Sequence, residues 1–258
     1  MREGPELGFW ACIPARRASS RLPNKPLADL GGRPMILRTA EVATQSGAQR
    51  VVIATDDVEI LSVVQSAGFE AFMTSPHHTS GTDRLAELAE RLEAPDDQVL
   101  VNLQGDEPLM PPEVLRQVAQ RLLGEPEASV ATAVTAIHDP QELTSPHAVK
   151  AVINANGHAL YFSRAPIPFA REHHAAGLTA LPPSPFTALR HLGIYAFRAG
   201  PLRAFSGWGP CMLETTEQLE QLRWLFHGHL ICTITLPTAP PPGIDTPEDL
   251  ARAQALLL

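Results

Sequence analysis

Four times between Phe9 and Leu123 a short run of β-branched and small apolar residues gives way to a longer amphipathic stretch. That order predicts βα units built around a mostly parallel sheet. Phe9–Ala15, Val51–Asp56, Ala71–Thr74 and Val99–Leu103 read as the strands. Met35–Gln45, Val58–Ala67, Arg84–Leu92 and Glu113–Leu123 read as the helices, with prolines near two of their starts (Pro34, Pro111-Pro112) and glycine stops at Gly47 and Gly68. Past residue 128 the pattern changes. Ser129–Ile137, Val149–Asn154 and His158–Ser163 crowd together, Asn156-Gly157 offers a hairpin turn, and antiparallel strands are expected. His191–Phe197 and Leu230–Leu236 predict further strands, Leu213–Phe226 one helix, and Thr246–Leu257 a last helix with Thr246 as N-cap and Pro247 in its first turn. The expected fold is a single α/β domain over residues 1–258: a mostly parallel sheet flanked by helices, about 9–128 plus 230–258, and a smaller antiparallel lobe, about 129–229.

With 258 residues, 44% of them apolar and 19% charged, the chain has material for a sizeable core. Pro, Arg, Asp or His cuts every apolar run well short of the roughly 18 residues that cross a bilayer, so no membrane partner is expected. Met1–Gly8 carries Arg2, Glu3 and Glu6 with no long apolar stretch behind them; a secretory signal is not supported and a cytoplasmic location is the expectation. Twenty Lys and Arg against 28 Asp and Glu give a net charge of −8, which argues against a nucleic-acid partner. Any anionic ligand must be held by a local cluster. Cys12, Cys211 and Cys232 lack metal or redox spacing and read as small buried hydrophobes. Pro166–Pro185 is expected to be a mobile loop, and its adjacent His173 and His174 do not suit one metal ion.

Two loops carry the chemistry. The first strand runs into Pro14-Ala15-Arg16-Arg17 and on to Arg21 and Lys25, at the strand end where open α/β sheets bind ligands. The glycines and Lys-Ser/Thr ending of a Walker A loop are missing. Arg16, Arg21 and Lys25 nevertheless suit a polyanion such as a nucleoside triphosphate, the plain alternative being a solvated basic loop. The strand Val99–Leu103 runs into Gln104-Gly105-Asp106-Glu107-Pro108, where a glycine turn delivers two carboxylates. One such carboxylate plus phosphate oxygens suffices for Mg²⁺, and an ordinary Asp-Glu-Pro turn is the alternative. Opening on one edge of one sheet, the positive and negative loops together match a triphosphate and its metal.

Taken in order, these blocks resemble the CMP-Kdo synthetases, the 3-deoxy-manno-octulosonate cytidylyltransferases. The likeness rests on Ile13-Pro14-Ala15-Arg16 with Ser20-Arg21-Leu22-Pro23-x-Lys25-Pro26, on Thr79-Ser80-Gly81-Thr82-Asp83-Arg84-Leu85-Ala86-Glu87, and on Asn102-x-Gln104-Gly105-Asp106-Glu107-Pro108. It continues through Tyr161–Pro168, Arg190–Tyr195, Leu219–Arg223 and Gly243–Leu250, and so covers nearly the whole chain. Arg17 stands where an aromatic is common, and Pro168-Phe169-Ala170-Arg171 lacks an acidic residue usual there.

The resemblance implies a Rossmann-like nucleotidyltransferase sheet with a sugar-binding and dimerisation lobe. It implies Mg²⁺-dependent transfer of CMP from CTP to Kdo, the activation step for the lipopolysaccharide inner core, by a homodimer. It places the nucleotide on Pro14, Ala15, Arg16, Arg21, Lys25, Ser80, Gly81 and Arg84, the cytosine falling to the last three, with Arg16, Lys25 and Asp106 catalytic. It makes Asp106 and Asp245 co-ligands of the metal, Asp245 having a helix-start role as its alternative. The sugar falls to Gln104, Arg164, His191 and Tyr195. The acidic face of the expected helix Leu213–Phe226, Glu214 and Glu217, either meets sugar hydroxyls or faces solvent. Arg17, His77 and His78 are expected at the surface. A CMP-sialic acid synthetase-like enzyme and a non-catalytic nucleotide-sugar binding module are the other readings.

Overall fold

The computed structural model describes residues 7–17, 21–78, 80–172, 180–182 and 187–256. Ser20 and Thr79 of the motifs above, His173 and His174, and much of the loop Pro166–Pro185 lie outside them. In chain order the elements begin with β1 (Leu7–Ala15), α1 (Met35–Gln45), β2 (Ala48–Thr55), α2 (Val58–Ser66), β3 (Glu70–Met73), α3 (Gly81–Arg91), β4 (Val99–Asn102) and α4 (Pro112–Leu123). They continue with β5 (Ala128–Ala136), α5 (Pro140–Thr144), β6 (Lys150–Ile153), β7 (Ala159–Ser163), β8 (Leu189–Arg198), α6 (Ala199–Phe205), α7 (Met212–Glu217), α8 (Gln221–Phe226), β9 (Leu230–Leu236) and α9 (Pro247–Ala255). Two compact units result. One comprises the residues up to 120, 196–207 and those from 240 on; the other comprises 121–195 and 208–239. Among the described residues no helix is long and apolar enough to cross a membrane.

In the first unit four strands run parallel in the order β3-β2-β1-β4. Phe9, Ala11, Cys12 and Ile13 of β1 and all of β4 are buried, as in a parallel sheet covered on both faces. The helices supply the cover through the expected periodicity: Ile36, Ala40 and Ala43 on α1, and Leu85, Leu88 and Ala89 on α3, are buried. Each buried Leu or Ile contributes about 1.5–3 kcal/mol. The chain leaves β1 for β2 on one side, and β4 lies on the other. This is a topological switch point, and the crevice at the carboxyl ends of β1 and β4 is where such sheets take ligands.

The second unit departs from an all-antiparallel lobe. β6 and β7 form the expected antiparallel hairpin, with Gly157 at φ 74 and the Asn154 side chain accepting from the Asn156 and His158 amides at 2.9 and 3.0 Å. β6 also pairs antiparallel with β8. β5, however, runs parallel to β9, with Val130 opposite Ile231 and Thr135 opposite Leu236. The burial of β5 along nearly all its length, a run without polar alternation, fits a strand covered on both faces. The single helix expected over Leu213–Phe226 is two, α7 and α8, broken at Gln218 in the left-handed conformation. The break undoes the expected apolar face: Leu219 and Leu222 are buried whereas Phe226 is 56% exposed.

Candidate active site

β1 ends at Ala15, and the chain returns toward the sheet edge through a short 3₁₀ turn, Lys25–Leu27. Leu22 anchors this loop in an apolar cluster with Leu30, Met35, Ile244 and Ala253. The cluster joins the loop to the segment that precedes α9. A second joint is the Ile244 N–H, which donates to the Asp106 carbonyl at 2.8 Å. These two joints bring Asp245 beside Asp106 across most of the chain.

The Lys25 ammonium bridges the pair. Its Nζ is in short contact with Asp106 Oδ2 and donates to Asp245 Oδ1 at 2.9 Å, and Arg21 pairs with the other Asp245 oxygen at 3.0 Å. Partial burial works to lower the Lys25 pKa, but the two carboxylates outweigh it and hold the ammonium above its ordinary value. The side chain is only 15% exposed, so Lys25 is an inward-facing group rather than a solvated loop cation. Asp245 does not cap the following helix. Thr246 and Asp249 do so reciprocally, the Thr246 hydroxyl accepting from the Asp249 amide at 3.2 Å and the Asp249 carboxylate from the Thr246 amide at 2.9 Å.

The loop after β4 approaches the β1 loop closely. A Cβ on Gly105 would lie 3.1 Å from the Pro14 carbonyl oxygen and 3.4 Å from Ile36, so a side chain here would press the two loops apart by a few tenths of an ångström. Thr39 fixes the turn by donating to the Gly105 carbonyl at 3.1 Å. The adjacent carboxylates then separate in role. Glu107 points inward: its Oε2 is buried without a hydrogen-bond partner, and burial together with the Asp106 charge pushes its pKa up to about 8. Asp106 is left as the carboxylate offered to a ligand.

The third wall is the start of α3. It begins three residues earlier than the periodicity suggested because the Ser80 hydroxyl caps it, accepting from the Asp83 amide at 3.1 Å. Gly81 lies under Pro14, where a Cβ would stand 3.4 Å from the ring. Arg84 is 3% exposed, its guanidinium fixed by Asp56 at 2.7 Å and the Thr74 hydroxyl at 2.5 Å.

These walls enclose a cavity of about 700 Å³, lined from the β1 loop by Pro14, Ala15, Arg16, Arg21 and Lys25. Ser80, Gly81 and Arg84 line it from α3, and Gln104, Asp106 and Asp245 from the remaining loops. All the residues expected to meet nucleotide or metal, with Gln104 from the sugar set, therefore share one cavity. Among its described lining residues four cationic side chains stand against two carboxylates, a local excess of positive charge in an acidic protein. Arg17 turns away to Asp57, which caps α2, and to Glu59 in its first turn, at 3.0 and 2.9 Å. His78, expected at the surface, instead lines the cavity, with its Nε2 at 2.5 Å from Glu87. The signal available was Glu87 itself, one turn after Arg84 in the same motif.

The other residues expected to meet the sugar lie in the second unit, and local contacts occupy most of their polar atoms. Arg164 donates to the carbonyls of Pro146, Glu217 and Gln218 at 2.8, 2.7 and 3.2 Å. The Glu217 carboxylate accepts from the Ser163 hydroxyl and the Arg164 amide at 2.5 and 2.9 Å, and Glu214 takes a two-pronged bond from Arg223 at 2.5 and 2.7 Å. Burial and the Glu220 charge push the Tyr195 phenol pKa up. His191 is buried against the Thr132 hydroxyl at 2.9 Å and the Phe162 ring, and burial pushes its pKa down to about 3.

A base whose folded pKa is depressed contributes stability that is present above its unfolded value, near 6.5, and lost as pH falls toward 3. Within that window the loss for His191 is about 1.4 kcal/mol per pH unit. His191→Gln is therefore expected to flatten the acid limb of stability, read as Tm between pH 7 and 4; parallel limbs for the two proteins would mean that His191 accepts a proton freely.

Residues 10–231 match the family model described as cytidylyltransferase. Among solved structures, a CMP:2-keto-3-deoxy-manno-octonic acid synthetase complexed with CTP is 41% identical, with a TM-score of 0.86 over 96% of this chain and 98% of that one. A putative glucose-1-phosphate thymidylyltransferase from Bacillus anthracis, in complex with a sucrose, is 16% identical with a TM-score of 0.62 over 96% of this chain and 94% of that one, a likeness of fold.

Proposed function

This chain belongs to the cytidylyltransferase family, and from that premise we propose that it transfers CMP from CTP to the anomeric hydroxyl of Kdo, releasing pyrophosphate. The observation that carries the reading is the convergence of Lys25 and Arg21 on Asp106 and Asp245 at the switch-point edge of the sheet. Support for the nucleotide and the sugar comes from the 41% identical synthetase complexed with CTP.

In the transfer the sugar oxygen forms a bond to the α-phosphorus while the bond to the bridging oxygen of the leaving pyrophosphate breaks, and the hydroxyl proton is released to solvent. Negative charge grows on the equatorial and leaving oxygens, so the protein contributes chiefly by positioning and by aiming cations. Arg16, Arg21 and Lys25 form that positive frame. Arg84, immobilised by Asp56 and Thr74, and the Ser80-Gly81 backbone form a wall for the cytosine edge.

Asp106 and Asp245 aim oxygens at one point, which a cationic group already occupies, and this hard donor pair fits Mg²⁺ completed by phosphate oxygens. The chemistry the ion supplies when bound there is neutralisation of the triphosphate charge. For the sugar, Gln104 lines the cavity directly. Arg164, Glu214 and Glu217 act by holding β7, α7 and α8 in place, and His191 and Tyr195 as neutral hydrogen-bonding groups. We assign a homodimer as the assembly, in which Leu160 of β7, 58% exposed, is covered by the second copy.

Base choice tests the nucleotide part. Cytosine offers an amine donor where uracil offers an acceptor, and an unpaired acceptor in the site costs about 1–3 kcal/mol. The expected kcat/KM ratio of CTP over UTP is therefore roughly 5- to 150-fold. Equal values would overturn the assignment of Ser80, Gly81 and Arg84.

A further inference from the structure

We infer that Glu87 is a positioning residue for base recognition, holding through Ser75 and His78 the loop that carries Ser80 and Gly81 to the nucleotide cavity. The inference rests on the nucleotide reading of that cavity.

The loop in question joins β3, which ends at Met73, to α3, which begins at Gly81. Its first residue is pinned, since the Thr74 amide and hydroxyl both donate to the Thr55 carbonyl, at 2.7 and 3.1 Å. Its last residue, Ser80, is the cap of α3. Between these points Glu87 reaches back from α3, and its Oε2 accepts from the Ser75 amide at 2.8 Å and pairs with His78 Nε2 at 2.5 Å. Its Oε1 accepts from Arg91 at 2.6 Å. Partial burial pushes the Glu87 pKa upward, but the bonds from Ser75, His78 and Arg91 prevail and keep the carboxyl below the usual carboxylate range. Glu87 is thus a charged hub with its oxygens committed to the loop and to its own helix.

The space around His78 shows why this hub matters to the cavity. On one side the imidazole lines the nucleotide cavity. On the other it borders a second hollow of about 340 Å³, shared with Glu87, Asp83 and Arg203. His78 therefore stands between the cavity and the hollow, and the bond to Glu87, which lines the hollow, fixes it in that place. Without that bond the loop has room to retreat into the hollow, drawing the Ser80-Gly81 backbone away from a base edge. A displacement of that kind weakens recognition without touching the phosphate groups.

The test is calorimetric binding of CTP and UTP, with steady-state kinetics, on the full chain and on Glu87→Ala, Glu87→Gln and His78→Ala. Glu87→Ala is expected to raise Kd and KM for CTP about tenfold, the order expected for one charge-assisted hydrogen bond, and to narrow the preference over UTP. Its kcat at saturating CTP should stay within about threefold, because the phosphate frame is intact. His78→Ala should move the same quantities in the same direction. Glu87→Gln, which keeps an acceptor for the Ser75 amide, should recover part of the loss. A folded Glu87→Ala protein with unchanged CTP affinity and base preference would overturn the inference, and if that variant does not fold, unchanged values for His78→Ala would do so. Failure of the unaltered chain to bind CTP would instead overturn the reading of the cavity, and the inference with it.

Discussion

Asp106→Asn and Asp245→Asn are each expected to abolish most turnover, at least about 100-fold, while the double variant is hardly worse than either single one. Two residues that serve one ion act as a unit, so losing either removes the whole contribution and the second loss adds little. The geometry favours this outcome because both carboxylates contact the same ammonium and are fixed by the Ile244–Asp106 backbone bond. A helix-start role for Asp245 would predict near-normal activity for its Asn variant, but the Thr246–Asp249 box already caps α9. Titrating turnover against Mg²⁺ for the four proteins separates the possibilities. A blunted Mg²⁺ response in all three variants supports a shared site; losses that multiply in the double variant would mean separate roles.

Lys25→Ala should lower turnover at saturating CTP by about 10²–10³, the usual cost of removing one aimed donor in a phosphate or oxyanion site. Lys25 is also the counter-charge between Asp106 and Asp245, so its removal leaves Arg21 as the cation seen paired with Asp245 there. Some loss of Tm is therefore expected, and millimolar Mg²⁺ should restore it by replacing the lost charge while turnover stays low. Lys25→Arg should recover activity in part, since a planar fork does not reproduce a point charge between two carboxylates. Wild-type turnover in Lys25→Ala would remove Lys25 from the phosphate frame, and a Tm that Mg²⁺ leaves unmoved would separate Lys25 from the carboxylate pair.

The parallel part of the fold was legible because each strand is a compact apolar run and each helix carries a local stop or cap. Met35–Gln45 and Leu230–Leu236 fall where the pattern places them, and Thr246 caps α9 as expected. That the residues expected to meet nucleotide share one cavity was legible for a related reason: they follow strand ends, whose common edge the βα order dictates. What escaped depended on long-range partners. The parallel pairing of β5 with β9 joins segments some hundred residues apart, and no local signal distinguishes it from a meander. The break at Gln218 sits in a sequence with good helical periodicity, where the bonds of Ser163 and Arg164 to Glu217 outweigh local propensity. His78 read as a surface residue because its partner, Glu87, lies nine positions away on an element whose facing depends on the tertiary fold.

The most direct test of the activity is pyrophosphate release with CTP in the presence of Kdo, other acidic sugars or no sugar, with the CMP–sugar product quantified alongside. Release is expected to require Kdo and Mg²⁺, to match CMP–Kdo formation one for one, and to fall sharply with sialic acid in place of Kdo. Release at the same rate without sugar, or with sialic acid preferred over Kdo, would contradict CMP transfer to Kdo as the activity.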